Sequence, residues 1–180
     1  MHATHPEPYI TACGNDRLTP LYDLLIRLKM REGTVKRRII ELVRLAPGER
    51  LLDIGCGTGT LGLLAKRIVP GSVVVGVDGD PKILAIARRK AARERLDVTF
   101  DEAMAYDLPY ADRSFDAVVS SLVFHHLTPD QQAATLAETL RVLRPGGAFV
   151  VADLAPPHNR LMRATPLVRR LLGHSTRAHA

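Results

Sequence analysis

The chain has 180 residues, 46% hydrophobic and 24% charged, a balance that builds a core without staples and excludes overall disorder. No apolar run approaches the ~20 residues of a membrane span, and two cysteines, Cys13 and Cys56, frame neither a disulfide scaffold nor a four-cysteine zinc site. The net charge of +6 collects at the end, where Arg160, Arg163, Arg169, Arg170 and Arg177 follow Asp153 with no further acid; the nearly neutral remainder is unlike a dedicated nucleic-acid binder.

Residues 1–18 are polar and carry Pro6, Pro8, Gly14 and Asn15, which predicts an irregular arm. With no apolar signal core there, a reducing cytoplasm is the expected compartment. Thr19-Pro20 pairs an N-cap with a proline at the first helical position, and Leu21, Leu24, Leu25 and Leu28 follow at helical spacing. A second helix is predicted over 34–46, with Val35, Ile39, Leu42 and Val43 on its apolar face, stopped by Pro47-Gly48.

Beyond it, apolar runs alternate with helices. The runs are 50–54, 72–77, 98–100, 115–120 and 148–152. Continuous runs such as Val73–Val77 are what a sheet covered on both faces requires. Asp80-Pro81 opens a helix reaching Arg95, and Thr128 and Gln131 stand at capping-box spacing before another. Arg144-Pro145-Gly146-Gly147 reads as the turn after it. The alternation predicts an α/β fold with a doubly wound, mostly parallel sheet.

Gly55, Gly57 and Gly59 follow one buried strand and precede a helix beginning near Leu61. Glycines there permit a tight turn and let a ligand touch the backbone. Asp78 closes the next strand, where a carboxylate accepts both hydroxyls of a ribose. The pattern describes an adenosine-binding pocket, but Gly57-Thr58-Gly59-Thr60-Leu61-Gly62 also satisfies the dinucleotide fingerprint, so NAD remains open on these residues, as does a tight turn with no ligand.

The wider text is more specific. Asp53-Ile54-Gly55-Cys56-Gly57-Thr58-Gly59 resembles the first motif of class I S-adenosylmethionine-dependent methyltransferases, and Val75-Gly76-Val77-Asp78 resembles the second. Ala105 through Asp116 and Leu143-Arg144-Pro145-Gly146-Gly147 are similar to later segments of that family. Within it, the chain most resembles the ubiquinone/menaquinone-biosynthesis C-methyltransferase group over residues 20–154. The resemblance implies a Rossmann-like domain over 19–154 that binds S-adenosyl-L-methionine and methylates a small molecule, quinone- or lipid-like. Gly55, Gly57 and Gly59 would cradle the methionine part, Asp53 would lie near its ammonium, and Asp78 would hold the ribose. Met104 and Ala105 would line the adenine, with Met104 standing where many relatives carry Asp or Asn, and Ser121 would lie beside the cofactor. The alternative is a non-catalytic or truncated cofactor-binding domain acting through a partner.

A base is needed only if the acceptor must lose a proton. The candidates are His125 and His126 after the fourth strand and Asp153 at the end of the fifth; Asp116, at the opposite end, reads as structural. Tyr22 would either cover the cofactor or pack in the core. Cys56 follows no nucleophile signature. No metal site is expected. Past Asp153 no further strand is visible, so the sheet would lack the family's last two strands and leave the fifth at an open edge. That edge would be covered by the tail or by a second copy, making a homo-oligomer. The basic amphipathic stretch 155–180 suits peripheral contact with an anionic membrane.

Overall fold

The computed structural model describes residues 32–153 and 171–172. The predicted arm, the helix after Thr19-Pro20 with Tyr22, and the tail apart from Leu171–Leu172 lie outside the described residues.

The elements run α1 (Glu32–Val43), β1 (Arg50–Ile54), α2 (Thr60–Ile68), β2 (Val73–Asp78), α3 (Pro81–Glu94), β3 (Val98–Glu102), β4 (Phe115–Ser121), a 3-10 turn (Phe124–His126), α4 (Pro129–Val142), β5 (Leu143–Ala152) and β6 (Leu171–Leu172). The sheet order is β3-β2-β1-β4-β5-β6. The first five strands are parallel, and β6 pairs antiparallel with β5 through Val151 opposite Leu172 and Ala152 opposite Leu171.

Period-two alternation divides the strand residues between the two faces. Leu51, Val74, Ala117 and Val119 pack with Ile39, Ile40 and Val43 of α1 and Leu61 and Ala65 of α2. Leu52, Ile54, Val75, Val77 and Val118 pack on the other face with Leu108 and with Val142 of α4. Leu51, Leu52 and Ile54 are fully buried, each contributing about 2–3 kcal/mol of hydrophobic stabilisation. With both faces covered the strands need no polar alternation, which is why they read as continuous runs.

The helix starts follow their chemistry. Asp80 caps α3 by accepting from the Lys82 and Ile83 amides at 2.8 and 3.4 Å. The capping box is formed in full: Gln131 N donates to Thr128 Oγ1 at 3.3 Å, and Thr128 N donates to Gln131 Oε1 at 3.0 Å.

Two expectations are corrected. Residues 144–147 belong to β5 instead of preceding it. Phe115 stands opposite Leu143 and Ala117 opposite Ala148, so four residues of β5 bulge against Asp116 alone. Asp116 fastens the bulge, accepting from Arg50 N at 2.8 Å and pairing with Arg144 Nη1 at 2.5 Å, in keeping with a structural role. The second correction is β6: a strand does follow Asp153, and its two residues are too few to carry a periodic signal. It covers β5 at Val151–Ala152.

Candidate functional site

Strand order reverses direction between β1 and β4, and in open parallel sheets the crevice beyond the strands' C-terminal ends at such a point takes ligands. Three segments meet at that edge: the glycine turn after β1, Asp78 at the end of β2, and the chain leaving β4.

In the glycine turn, Gly55, Gly57 and Gly59 all adopt left-handed backbone, with φ of 65°, 55° and 75°, which side chains resist by ~1–2 kcal/mol per residue. They differ in what surrounds them. A Cβ on Gly55 would collide with the Val123 side chain, and one on Gly59 would stand 2.7 Å from Phe100 and 3.0 Å from Ala87. A Cβ on Gly57 would meet nothing within 4 Å. Gly55 and Gly59 thus allow close packing, while Gly57 borders open space where a ligand can lie against the backbone.

Asp78 braces this turn. Its Oδ2 accepts from the Gly57 amide at 2.9 Å and its Oδ1 from the Asp80 amide at 3.0 Å. The Cys56 amide donates to Val77 O at 2.9 Å, and the Ala103 amide to Asp78 O at 3.2 Å, extending the sheet's bonding to its rim. The structure thus brings the glycine turn and Asp78 together at the rim.

Asp53 lies below the rim. It is 1% exposed, and its Oδ2 has no hydrogen-bond partner; that atom is 3.8 Å from where a Cβ on Gly62, in the first turn of α2, would stand. Burial pushes its carboxyl up to about 7, opposed by Lys36 and the Gly62 amide and assisted by Asp78. An orphaned, buried carboxylate oxygen beneath a glycine turn has the chemistry to attract a cationic group. Cys56 is buried, and burial together with Asp53 and Asp78 pushes its thiol well up, which suits packing and not nucleophilic chemistry.

Met104 and Ala105 follow β3 and are half-buried. Met104 O accepts from the Asp107 amide at 3.1 Å, and Ala105 packs toward the Leu52–Val118 face. A clasp missed by sequence reading fixes the segment behind them: Arg141 donates to Leu108 O at 3.0 Å and Tyr110 O at 2.7 Å, and Glu138 accepts from the Leu108 amide at 2.8 Å. Arg141 also pairs with Glu138 and Asp112. Two charged residues three apart near the end of a helix were the available signal.

Ser121 is half-buried opposite Ala152. The next residue, Leu122, is left-handed at φ 61°, and the chain turns there into Val123 and the 3-10 turn. The structure joins the remaining candidates. Asp153 Oδ1 lies 2.6 Å from His125 Nδ1, while its Oδ2 accepts from the Val123 and Phe124 amides at 3.1 and 2.6 Å. The His125 and His126 rings are 3.9 Å apart. Burial and the neighbouring His125 hold His126 below the usual histidine range, against the pull of Asp153. Among the described residues no cluster of His, Cys, Asp and Glu could hold a metal ion, and no helix is long and apolar enough to cross a membrane.

Comparison with known proteins adds to this geometry. A demethylmenaquinone methyltransferase of Thermus thermophilus is 43% identical over 142 residues, covering 78% of this chain and 64% of that protein. One from Deinococcus radiodurans is 37% identical over 150 residues, covering 82% of this chain and 61% of that protein. The chain thus spans less than two thirds of the length of these relatives. Among solved structures, the cyclase SpnF superposes with a TM-score of 0.64 at 32% identity, covering 67% of this chain and 44% of that one. The model of the methyltransferase domain matches residues 51–147, from the first residue after Arg50 in β1 to the bulge of β5 and so more than half of the sequence, and the chain belongs to that family.

Proposed function

We propose that this chain is an S-adenosylmethionine-dependent methyltransferase acting on a small, quinone- or lipid-like acceptor. The observation that carries the reading is the glycine turn braced by Asp78 at the strand-order reversal, in a chain of the methyltransferase-domain family. The names of the Thermus and Deinococcus relatives favour a quinone-like acceptor.

S-adenosylmethionine supplies the electrophilic methyl group when bound. The chain's part is to bind, orient and exclude water. Gly57 offers its open backbone face, Gly55 and Gly59 keep the turn tight, and Asp78, oriented by two amides, accepts ribose hydroxyls. Met104 and Ala105 line the adenine, Ser121 borders the site from β4, and Asp53 is the counter-charge beneath the turn for the cofactor's ammonium. The same reading places the protein in the cytoplasm, with the basic stretch 155–180 touching anionic membrane and two copies associating along the rest of the β5 edge; vesicle co-sedimentation and light scattering test these.

Calorimetric titration with S-adenosylmethionine, S-adenosylhomocysteine and NAD tests the cofactor. The expected result is binding of both sulfur compounds, lost in Asp78→Ala; binding of NAD alone overturns it. A second reading, a cofactor-binding domain with no methyl transfer, is favoured by one observation: SpnF, of the same fold, is named for a cyclisation. Sulfur-cofactor binding without transfer to any hydroquinone, phenol, amine or thiol would select it.

A further inference from the structure

Resting on the reading above, we propose that His125 is the base that takes the acceptor's proton, that Asp153 is its positioning residue, and that the acceptor is therefore a compound with an ionisable hydroxyl, such as a phenol or hydroquinone.

Asp153 is the first residue after β5, and its carboxylate is engaged on both oxygens. By accepting the Val123 and Phe124 amides, Oδ2 fixes the start of the 3-10 turn, which leaves Oδ1 on His125 Nδ1. An ionised carboxylate only accepts, so the neutral imidazole keeps its proton on Nδ1 and presents a lone pair on Nε2. The ring is 26% exposed and Asp153 14%; the pair is reachable yet partly shielded. Val123, two residues before His125, packs over Gly55, so the segment that carries His125 starts against the glycine turn. The chain reaches this arrangement through Leu122 in a left-handed conformation, and strain of that kind in a non-glycine residue persists where the surroundings over-determine it.

Among the described residues, the titratable groups placed against His125 are Asp153 from the end of β5 and His126 from its own turn. In the step, the acceptor's hydroxyl proton passes to His125 Nε2. The electron pair so released, on oxygen or delivered through the ring to carbon, forms the new bond to the methyl carbon. The bond from that carbon to the sulfonium sulfur breaks with its pair left on sulfur, and the imidazolium returns its proton to water. A neutral amine attacks with the lone pair it already has, so a held base serves a hydroxyl acceptor.

The test uses the full chain. Nitrogen-15 imidazole spectra, which need no cofactor, are expected to show the neutral His125 proton on Nδ1; finding it on Nε2 overturns the proposal. Calorimetry with S-adenosylmethionine then separates the two readings: a wild type that fails to bind it overturns the cofactor reading and this proposal together. His125→Asn keeps a side-chain N–H for Asp153 but no base. It is expected to bind S-adenosylmethionine within twofold of wild type while kcat on a naphthohydroquinone falls by ~10²–10⁴, recovering as pH rises far enough to ionise the acceptor unaided. A His125→Asn variant with wild-type kcat makes His125 a tether and overturns the proposal. In Asp153→Asn the nitrogen-15 spectra are expected to lose the preference for Nδ1–H, because the acceptor that fixes the tautomer has changed; an unaltered tautomer removes Asp153 from the mechanism. Equal rates on an alkylamine and the hydroquinone overturn the acceptor class.

Discussion

The Asp78 carboxylate, at the end of one strand, holds the Gly57 amide of the turn after the neighbouring strand at 2.9 Å. The residue proposed to grip the ribose thus also sets the shape of the turn proposed to cradle the methionine part, and neither can be disturbed alone. Asp78→Ala leaves the Gly57 and Asp80 amides without their acceptor. It is expected to cost ~1–3 kcal/mol of stability and to abolish measurable S-adenosylmethionine binding; urea unfolding and calorimetry read the two effects. Unchanged affinity in a destabilised variant would confine Asp78 to scaffolding.

The three turn glycines are expected to separate by mechanism. Alanine at Gly57 meets no neighbour, so its cost is conformational, ~1–2 kcal/mol, but its methyl group projects into the open space and weakens cofactor binding. Alanine at Gly55 or Gly59 strikes Val123 or Phe100, adding ~1–3 kcal/mol of overpacking. Denaturant unfolding should therefore rank Gly57→Ala as the most stable of the three, while calorimetry shows it impaired in binding.

Burial raises the Asp53 carboxyl from 3.8 to about 7, so between those values the folded chain holds a proton that the unfolded chain has released. Stability from this group is present at low pH and declines as pH rises from about 4 to about 7. Asp53→Asn removes the charge that must be buried above that range. The variant is expected to gain stability relative to wild type at pH 8 compared with pH 5, read by urea unfolding at both. An equal difference at the two pH values would show that Lys36 neutralises the carboxylate fully.

Arg141 ties α4 to the segment after β3 through the Leu108 and Tyr110 carbonyls. Arg141→Gln is expected to speed hydrogen exchange at the Leu108 amide and to lower S-adenosylmethionine affinity severalfold, since that segment follows Met104 and Ala105. Faster exchange with unaltered affinity would show that the adenine side is held independently of the clasp.

Much of this was legible in the sequence, for physical reasons. Val73–Val77 of β2 stands out because a strand covered on both faces is an uninterrupted apolar run, and Thr128 with Gln131 announced a capping box that forms in full. The bulge of β5 was hidden because Pro145-Gly146-Gly147 has turn chemistry, and only the pairing with β4 on either side of it, at Phe115 and Ala117, makes it part of a strand. The contact between His125 and Asp153 was invisible as a motif, since 28 residues separate them. Parallel register was the available clue: if Ser121 stands opposite Ala152, the residues just beyond each are neighbours. The burial of Asp53 was not legible, because facing the covered side instead of the rim depends on α1 and α2 closing over it.

Leu122 bears on any attempt to make this protein sturdier. Its left-handed backbone marks it as a position where glycine would relax the chain, and a screen for heat resistance would be drawn to it. The relaxed variant would leave the sheet by many routes where the native chain has one, and Val123 and His125 would arrive at the rim at varied angles. Durability and accuracy of placement therefore pull in opposite directions at a single residue, one that touches no reacting atom in the scheme above.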